Sequence, residues 1–124
     1  MSGYKEWKDL EVFQVIEELA EKIWNEVIEW DSFSKFSIGL QLVKAIDSFG
    51  ANIEEADGRY HFKEKINFLY IARGSLKESR RWIIKSNRRK LFKEENGKKF
   101  LNEVETILPR FNSFISSQKR ISKT

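Results

Sequence analysis

The amino-acid sequence predicts an all-α protein, an antiparallel up-down-up-down four-helix bundle whose third helix is long. Four stretches repeat apolar residues three and four positions apart, which is the spacing of one face of an α-helix. Short polar breaks separate the stretches, and helices joined by short connections pack beside one another in a bundle. The alternation of a half-buried strand, with a period of two, runs over no useful length.

The totals agree with one globular domain. The chain has 124 residues, of which 40% are hydrophobic and 14% aromatic, so it can bury a core. We expect the bundle to span residues 1–118 and the basic residues 119–124 to form a frayed tail. The start of the chain lacks the order of a signal peptide, and no apolar run reaches the roughly 20 residues that cross a bilayer. These features predict a cytoplasmic protein with no membrane partner.

The first two helices are predicted at about residues 8–30 and about residues 34–56. Asp9 is placed to cap the first helix, and the break that follows this helix is rich in capping residues. In the second helix, the apolar stripe that begins at Phe36 and Leu40 is expected to face the core. The glutamates of the first helix are expected on its wet side. They are Glu11, Glu17, Glu18, Glu21, Glu26 and Glu29.

The last two helices are predicted at about residues 60–94 and about residues 98–117. The third would span on the order of 50 Å. Three of its apolar residues lie off the main apolar face, which predicts a second buried surface of the kind that oligomerisation provides. They are Phe68, Ile71 and Trp82. Pro109 is expected to kink or split the fourth helix because it lacks a backbone donor.

The residue types that most catalysis and metal binding need are scarce. The chain has no Cys and one His, His61, which is expected to be a surface or turn residue. Disulfides, thiolate metal sites and paired carboxylate–histidine metal sites are therefore excluded, and a single His argues against a His-dependent hydrolase. No glycine-rich phosphate loop is present. The sequence predicts no catalytic residue, no metal and no cofactor, so the protein is expected not to be an enzyme.

A polar group surrounds the predicted corner between the second and third helices. Glu55 and Arg59 are four residues apart and are spaced for an ion pair, and Asn52 is spaced to bond the backbone of the turn. Gly58 is expected to end the second helix in the left-handed conformation that glycine tolerates. The group is either a binding constellation or the polar brace of a tight corner, and we favour the brace.

Charge is distributed unevenly along the chain. Residues 1–31 contain three Lys against nine Asp or Glu, a balance of −6, whereas residues 32–124 have a balance of +10. Residues 73–93 alone contain nine Lys or Arg and one acid, Glu78. At 100° per residue, six of these cations fall within an arc of about 140° on the third helix. They are Arg73, Lys77, Arg80, Arg81, Lys85 and Arg88, and Arg89 follows directly.

Such a stripe can track a phosphate backbone, with an affinity that depends on salt and weakly on base sequence. Tyr70 lies at one end of the same arc, where it could stack on a base. The stripe could equally be a solvated face, or a face that pairs with the acidic first helix. These alternatives stay open at the level of the sequence.

Two motifs resemble those of a known family. Residues 48–59 read SFGANIEEADGR, and residues 68–78 read FLYIARGSLKE. They are similar to the S-x-P-x-N-I-x-E-G-x-G-R and F-L-x-I-A-x-G-S-x-x-E patterns of the 23S rRNA intervening-sequence proteins. The chain departs from the first pattern at Gly50, where the family usually has Pro, and at Ala56, where it usually has Gly. The matching positions are Asn52, Glu55, Gly58, Arg59, Gly74, Ser75 and Glu78, and we expect them to form a structural corner.

The resemblance implies a four-helix bundle and says little about biochemical activity. Related bundles, the accessory proteins of diversity-generating retroelements, form pentamers with basic surfaces and partner a reverse transcriptase and its RNA. A homopentamer is therefore the implied assembly. The leading hypothesis is a non-enzymatic oligomer that binds RNA or DNA through the basic residues of the third helix. The alternative is a protein-interaction scaffold, such as an accessory subunit of a reverse transcriptase, with no direct contact to nucleic acid.

Overall fold

The computed structural model describes residues 10–93 and 95–122, and within these residues the protein is an all-helical four-helix bundle. The helices are α1 (Glu11–Val27), α2 (residues 32–57, made of Ser32–Ser34, Lys35–Gly39 and Leu40–Asp57), α3 (Phe62–Arg88) and α4 (Asn96–Ser122). Helix α2 begins with one α-helical turn, continues through a π-helical turn and then becomes a regular α-helix.

Helices α2 and α3 share the most extensive contact, α3 also packs on α4, and α1 packs on α2 and α4. Residue numbers rise on one helix as they fall on its neighbour: Ser75 contacts Ser48, and Lys65 contacts the carbonyl group of Asp57. The core runs the length of the bundle and includes an edge-to-face aromatic pair, Phe49 and Phe111, whose ring centroids are 5.0 Å apart. The acidic α1 and the basic α3 therefore do not form a major pair.

Helix α1 is shorter than the sequence predicts. It begins at Glu11 and ends at Val27, and the proposed cap, Asp9, lies outside the described residues. The glutamates of α1 are not all on the wet side, because Glu17 is half-buried and Glu26 is only 7% exposed. The expectation for Glu26 was wrong because helical periodicity places it beside the apolar stripe, and a loop from elsewhere in the chain covers it.

That covering loop connects α3 to α4. The carboxylate of Glu26 accepts a hydrogen bond from the backbone N–H of Lys93 at 2.8 Å and another from the side-chain amide of Asn96. Phe92 of the same loop packs edge-on between Trp30 and Phe100, with centroid distances of 5.3 Å and 5.1 Å. A buried carboxylate is tolerated when its oxygens are hydrogen-bonded, so Glu26 holds the loop against the end of α1.

Helix α2 starts at the break that the sequence indicates. Asp31 caps it by accepting a hydrogen bond from the Ser34 backbone N–H at 3.0 Å, and the bonds from Ser34 hold the pKa of Asp31 below its usual range. The following π-helical turn contains Gly39. A Cβ at Gly39 would lie 2.7 Å from Val27 Cγ1, so glycine is what allows α1 and α2 to approach this closely.

The apolar stripe predicted for α2 faces the core from Ile46 onward but not at its start. Phe36 and Leu40 are exposed, whereas Leu42 and Ile46 are fully buried. Leu40 and Leu42 are two residues apart and so lie about 160° apart around the helix, which means that one face cannot bury both. The expectation joined two different apolar stripes into one.

The corner between α2 and α3 is tight, but Gly58 does not have a left-handed conformation. Its φ is −80°, which is in the right-handed region, so that expectation was wrong. The last carbonyl groups of α2 are satisfied from the next helix, because Lys65 Nζ donates to the carbonyl oxygens of Asp57 at 3.0 Å and Ala56 at 3.4 Å. This cation compensates the negative end of the helix dipole.

Helix α3 ends at Arg88, about six residues before the predicted end. Lys90 adopts a positive φ of 56°, the Lys90 N–H donates to the Asn87 carbonyl group, and the Leu91 N–H donates to the Ser86 carbonyl group. This pair of bonds is the Schellman motif, which usually has glycine at the left-handed position. A lysine there gives no such signal in the sequence.

Helix α4 is continuous through Pro109, so the predicted split does not occur. It also extends to Ser122 rather than ending near residue 117. Lys119 and Arg120, which were predicted to belong to the tail, are therefore helical, and residues 123–124 lie outside the described part of the chain. None of the described helices is long and apolar enough to cross a lipid bilayer.

Candidate nucleic-acid interface

The basic residues predicted from the sequence lie together on α3 and at its end. Lys77, Arg81, Arg88 and Arg89 are exposed, and the other three, Arg73, Arg80 and Lys85, are half-buried. The buried residues of α3 form the opposite side. They are Leu69, Ala72, Ser75, Leu76, Ser79, Ile83 and Ser86. At 100° per residue the six helical cations and the buried residues are centred about 150° apart. The seven cations, here called the basic face, therefore lie on the side of α3 away from the core.

None of the described carboxylates forms an ion pair with the basic face. The ion pairs of the described residues lie elsewhere, between Arg59 and two glutamates of the corner and between Arg110 and Glu11 at 2.7 Å. Arg73 instead donates to the Asn112 side chain of α4 at 3.3 Å. Within the part of the chain that the structure describes, the acidic first helix therefore does not neutralise the basic face.

Two cations of the protein contact the ring of Tyr70, the residue predicted to stack on a base. The Arg73 guanidinium lies 4.9 Å from its ring centroid and the Lys119 ammonium 5.6 Å, so two cations already contact the ring. Lys119 Nζ also donates to the Tyr70 hydroxyl at 2.9 Å, and this bond, with the nearby positive charges, lowers the pKa of Tyr70 although desolvation opposes it. Lys119 thus extends the positive surface onto α4.

The residues of the first motif brace the corner. Arg59 pairs with Glu55 at 2.8 Å, approaches Glu64 at 3.9 Å, and places its guanidinium 4.7 Å from the Phe68 ring centroid. Gly58 and Arg59 line a shallow depression, and the ion pair that crosses it is exposed. The structural interpretation of this group fits these contacts better than a binding site does.

Asn52 bonds in the opposite direction from the one expected. Its Nδ2 donates back to the Ser48 carbonyl oxygen at 2.8 Å and to the Ser48 hydroxyl at 3.0 Å, not forward to the turn. The Ser75 hydroxyl of α3 completes the chain by donating to the Ser48 hydroxyl at 3.1 Å. Two motif positions that are 23 residues apart in the sequence are thus joined through Ser48, and this polar link fixes α2 against α3.

The other two positions of the second motif face solvent. A Cβ at Gly74 would meet nothing within 4 Å, so no close contact requires glycine there. The Glu78 carboxylate accepts a hydrogen bond from Trp82 Nε1 at 3.3 Å, which holds the indole on the outer side of α3.

Two grooves flank the first turns of α2, and sequence reasoning identified neither. The groove between α1 and α2 has a volume of about 180 Å³ and a lining that is almost entirely apolar. Trp24, Ile28, Phe36 and Leu40 are all exposed along it. In the sequence these residues look like core positions, because they share the helical spacing of the true core.

The groove between α2 and α3 is larger, with a volume of about 710 Å³, and its lining is mixed. Its residues come from the start of α2, from the outer side of α3 and from the loop after α3. They are Phe33, Ser34, Ser37, Ile38, Gln41, Trp82, Arg89 and Leu91. Arg89 belongs to both this groove and the basic face, so the two are continuous.

The exposed apolar surface therefore lies beside α2 more than on α3. Of the three residues expected to form a second apolar surface on α3, Phe68 and Trp82 are half-buried and Ile71 is 51% exposed. His61 is exposed at the start of α3, as expected for a turn residue. Among the described residues, no group of His, Cys, Asp and Glu is arranged to hold a metal ion.

Together these features define a small four-helix-bundle protein with one strongly basic helix face. The chain belongs to the 23S rRNA-intervening sequence protein family, whose model matches residues 8–113. It is also similar in structure to a protein of unknown function from the S23 ribosomal protein family of Bacteroides thetaiotaomicron. That crystal structure superposes with a TM-score of 0.75 at 25% sequence identity, covering 85% of this chain and 95% of the other. No curated protein matches the chain.

Proposed function

We propose that this protein is a non-enzymatic, oligomeric helical bundle of the cytoplasm that binds nucleic acid, RNA foremost, through the basic face of α3. One observation carries the proposal: seven Arg and Lys side chains lie on the outer side of one helix, and no described carboxylate pairs with them. A surface of uncompensated cations favours a polyanion, because binding releases the counterions that are condensed on the phosphates.

The dimensions of the basic face suit a nucleic-acid strand. From Arg73 to Arg88 the helix rises about 22 Å, which is long enough to contact several consecutive phosphates. The side chains are mostly arginine, whose planar guanidinium can donate two parallel hydrogen bonds to one phosphate. The names of the family and of the structural neighbour, which refer to ribosomal RNA and to a ribosomal protein, support RNA as the first polyanion to test.

We further propose that several copies assemble through the apolar groove between α1 and α2, with the homopentamer implied by resemblance as the expected state. Exposed side chains such as Trp24 and Phe36 are costly in water, and burial against another copy would remove that cost. Assembly would also place several basic faces on one particle and so increase its avidity for a long strand.

Charge reversal on the basic face tests the proposal. With about six phosphate contacts, the logarithm of the affinity for single-stranded RNA should fall with the logarithm of salt concentration at a slope of about −4. Changing Arg80, Arg81 and Arg88 to Glu should lower the affinity by at least about 100-fold and reduce the slope to about −2 or less. Fluorescence polarisation with labelled RNA at several salt concentrations measures both quantities.

The matched control reverses three exposed lysines on the other helices, Lys22, Lys44 and Lys99, to Glu. This control changes the net charge by the same amount, so it separates the basic face from a general effect of charge. Equal losses in both variants, or no loss in either, would contradict binding by the basic face. Wild-type protein that binds no RNA or DNA at physiological salt would favour the protein-interaction scaffold instead.

A further inference from the structure

The groove between α2 and α3 is lined by aromatic and polar side chains, which binding of phosphates by the basic face does not require. Phe33 lies at its rim with 83% of its surface exposed, although it is a large aromatic side chain. Trp82 forms the opposite wall, and its indole is held there by the hydrogen bond from Nε1 to Glu78. Flat apolar rings on two elements that border one groove offer surfaces on which a planar ligand can stack.

Polar groups also line the groove. The Ser37 hydroxyl donates to the Phe33 carbonyl oxygen at 2.5 Å, which leaves its oxygen able to accept another hydrogen bond. The exposed Gln41 amide can donate and accept at once, and this pairing matches the adjacent donor and acceptor on the edge of a purine. The π-helical turn at Lys35–Gly39 lies between Ser34 and Gln41, and such turns are frequent at functional sites.

A cation completes the groove at the end nearest the basic face. Arg89 lines the groove and directly follows Arg88, the last helical cation of the basic face. A nucleotide whose base enters the groove would therefore have its phosphate beside a guanidinium. The volume of about 710 Å³ falls within the range of pockets that bind small molecules.

We propose that this groove binds an unpaired purine base of a single-stranded nucleic acid, stacked between Phe33 and Trp82, with its edge at Gln41 and its phosphate at Arg89. The inference rests on the proposed function and extends it: the basic face binds the phosphates of the strand, and the groove binds one base that is turned out from it. Base-paired nucleic acid keeps its bases within the helix stack, so only a single strand or a loop can supply the occupant.

Phe33→Ala is the informative variant, and Tyr60→Ala is its matched control. Both remove an exposed aromatic ring, but Tyr60 lies at the corner between α2 and α3, away from the groove. Phe33→Ala should weaken binding of a purine-rich 12-nucleotide single strand about tenfold, because one stacked base contributes on that order. Binding of a 12-base-pair duplex and the salt slope should stay the same, since stacking releases no counterions. RNA and DNA versions of each strand show whether the ribose contributes.

A second measurement separates this inference from the proposed function. Adenosine monophosphate should quench tryptophan fluorescence, and the quenching should be lost in Phe33→Ala and in Trp82→Phe. It should be kept when Arg73, Lys77 and Arg80, which do not line the groove, are reversed to Glu. If Phe33→Ala does not weaken strand binding, or if quenching persists in Trp82→Phe, the groove is not the base-binding site. Strand binding by the basic face would be unaffected by that result. If quenching depends on Phe33 but the protein binds no strand, the groove binds a nucleotide and the proposed function of binding nucleic acid is wrong.

Discussion

At the scale of the residue, the contact between Glu17 and Gly50 shows a carboxylate that the sequence predicts on the wet side of α1 and the structure has half-buried. A Cβ at Gly50 would lie 2.5 Å from Glu17 Oε2, so the carboxylate of α1 occupies the space that glycine leaves on α2. Burial raises the pKa of Glu17, and the charges of Asp47, Glu54 and Glu21 raise it further. Burial and the charge of Glu21 raise the pKa of Asp47 as well. This side of the α1–α2 contact therefore disfavours negative charge.

Glu17→Gln should stabilise the protein at neutral pH. Because the pKa is raised in the folded state, the folded protein keeps a proton just above the ordinary pKa of 4.5, where the unfolded chain loses it. The free energy of unfolding therefore falls as pH rises through that window, and above it the carboxylate costs stability. Urea unfolding at pH 4.5 and pH 7 should show that Glu17→Gln increases the free energy of unfolding more at pH 7 than at pH 4.5. The free energy of unfolding of the variant should also depend less on pH than that of the wild type.

Glu18→Gln, at the exposed neighbouring position, is the control and should change stability little at either pH. A loss of stability in Glu17→Gln at pH 7 would contradict the account, because it would mean that the charge itself contributes a favourable contact.

At the scale of the element, the two glycines Gly74 and Gly39 lie inside helices for different physical reasons. Gly74 has open space around it on α3, whereas Gly39 lies where α2 meets Val27 and the Ser34 carbonyl oxygen. Glycine in a helix interior costs about 1 kcal/mol relative to alanine, since its backbone loses more freedom on folding. Only at Gly39 does the close approach of a neighbour offset that cost.

Gly74→Ala should therefore raise the free energy of unfolding by about 1 kcal/mol, which corresponds to a melting temperature about 4 °C higher. Gly39→Ala should lower both quantities, because its Cβ would lie 2.7 Å from Val27 Cγ1 and 3.2 Å from a backbone oxygen. Thermal unfolding followed by circular dichroism compares the pair directly. A stabilising Gly39→Ala would show that α1 and α2 can separate at little cost.

The elements themselves were largely predictable, and their ends less so. The 3.6-residue periodicity located all four helices, because each buries an apolar face. The ends of α3 and α4 differed from the prediction for local reasons that residue types do not signal. Lys90 ends α3 in a left-handed conformation without glycine, and Pro109 lies inside a helix that continues to Ser122. The corner at Gly58 was located correctly, while its conformation was not.

At the scale of the whole molecule, the basic face could be predicted, since it depends only on spacing along one helix. The two grooves could not, because each is lined by residues from different elements. Phe33 and Gln41 form a groove only together with Trp82 and Arg89, which belong to other elements. Exposed Phe36 and Leu40 look the same as core residues in the sequence, and only the packing of α1 against α2 shows which apolar stripe is left uncovered.

The location of the proposed self-association surface can be tested at this scale. If the groove between α1 and α2 joins the copies, Leu40→Lys should convert the oligomer into a monomer of 14.8 kDa, because a lysine would carry a charge into the apolar contact. Ile71→Lys on α3 is the matched variant, since Ile71 is also an exposed aliphatic residue. Light scattering coupled to size-exclusion chromatography measures the mass.

The sequence alone favoured α3 as the additional apolar surface, so the two variants distinguish the two locations. Dissociation caused by Ile71→Lys and not by Leu40→Lys would move the interface to α3. If the wild-type protein is already monomeric at micromolar concentration, the proposed assembly is wrong.

The hydrogen bonds of buried Glu26 also constrain the order in which the chain can fold. They join residues that are 67 and 70 positions apart, whereas α2, α3 and α4 contact their neighbours across short connections. Closing a long loop costs more chain entropy than closing a short one, so contacts between sequential helices should form earlier. By the same reasoning α1 should pack on α2 early, since only residues 28–31 separate them. We expect the bonds from Glu26 to the Lys93 amide and to Asn96 to form last, after the sequential helix pairs and the basic face are in place.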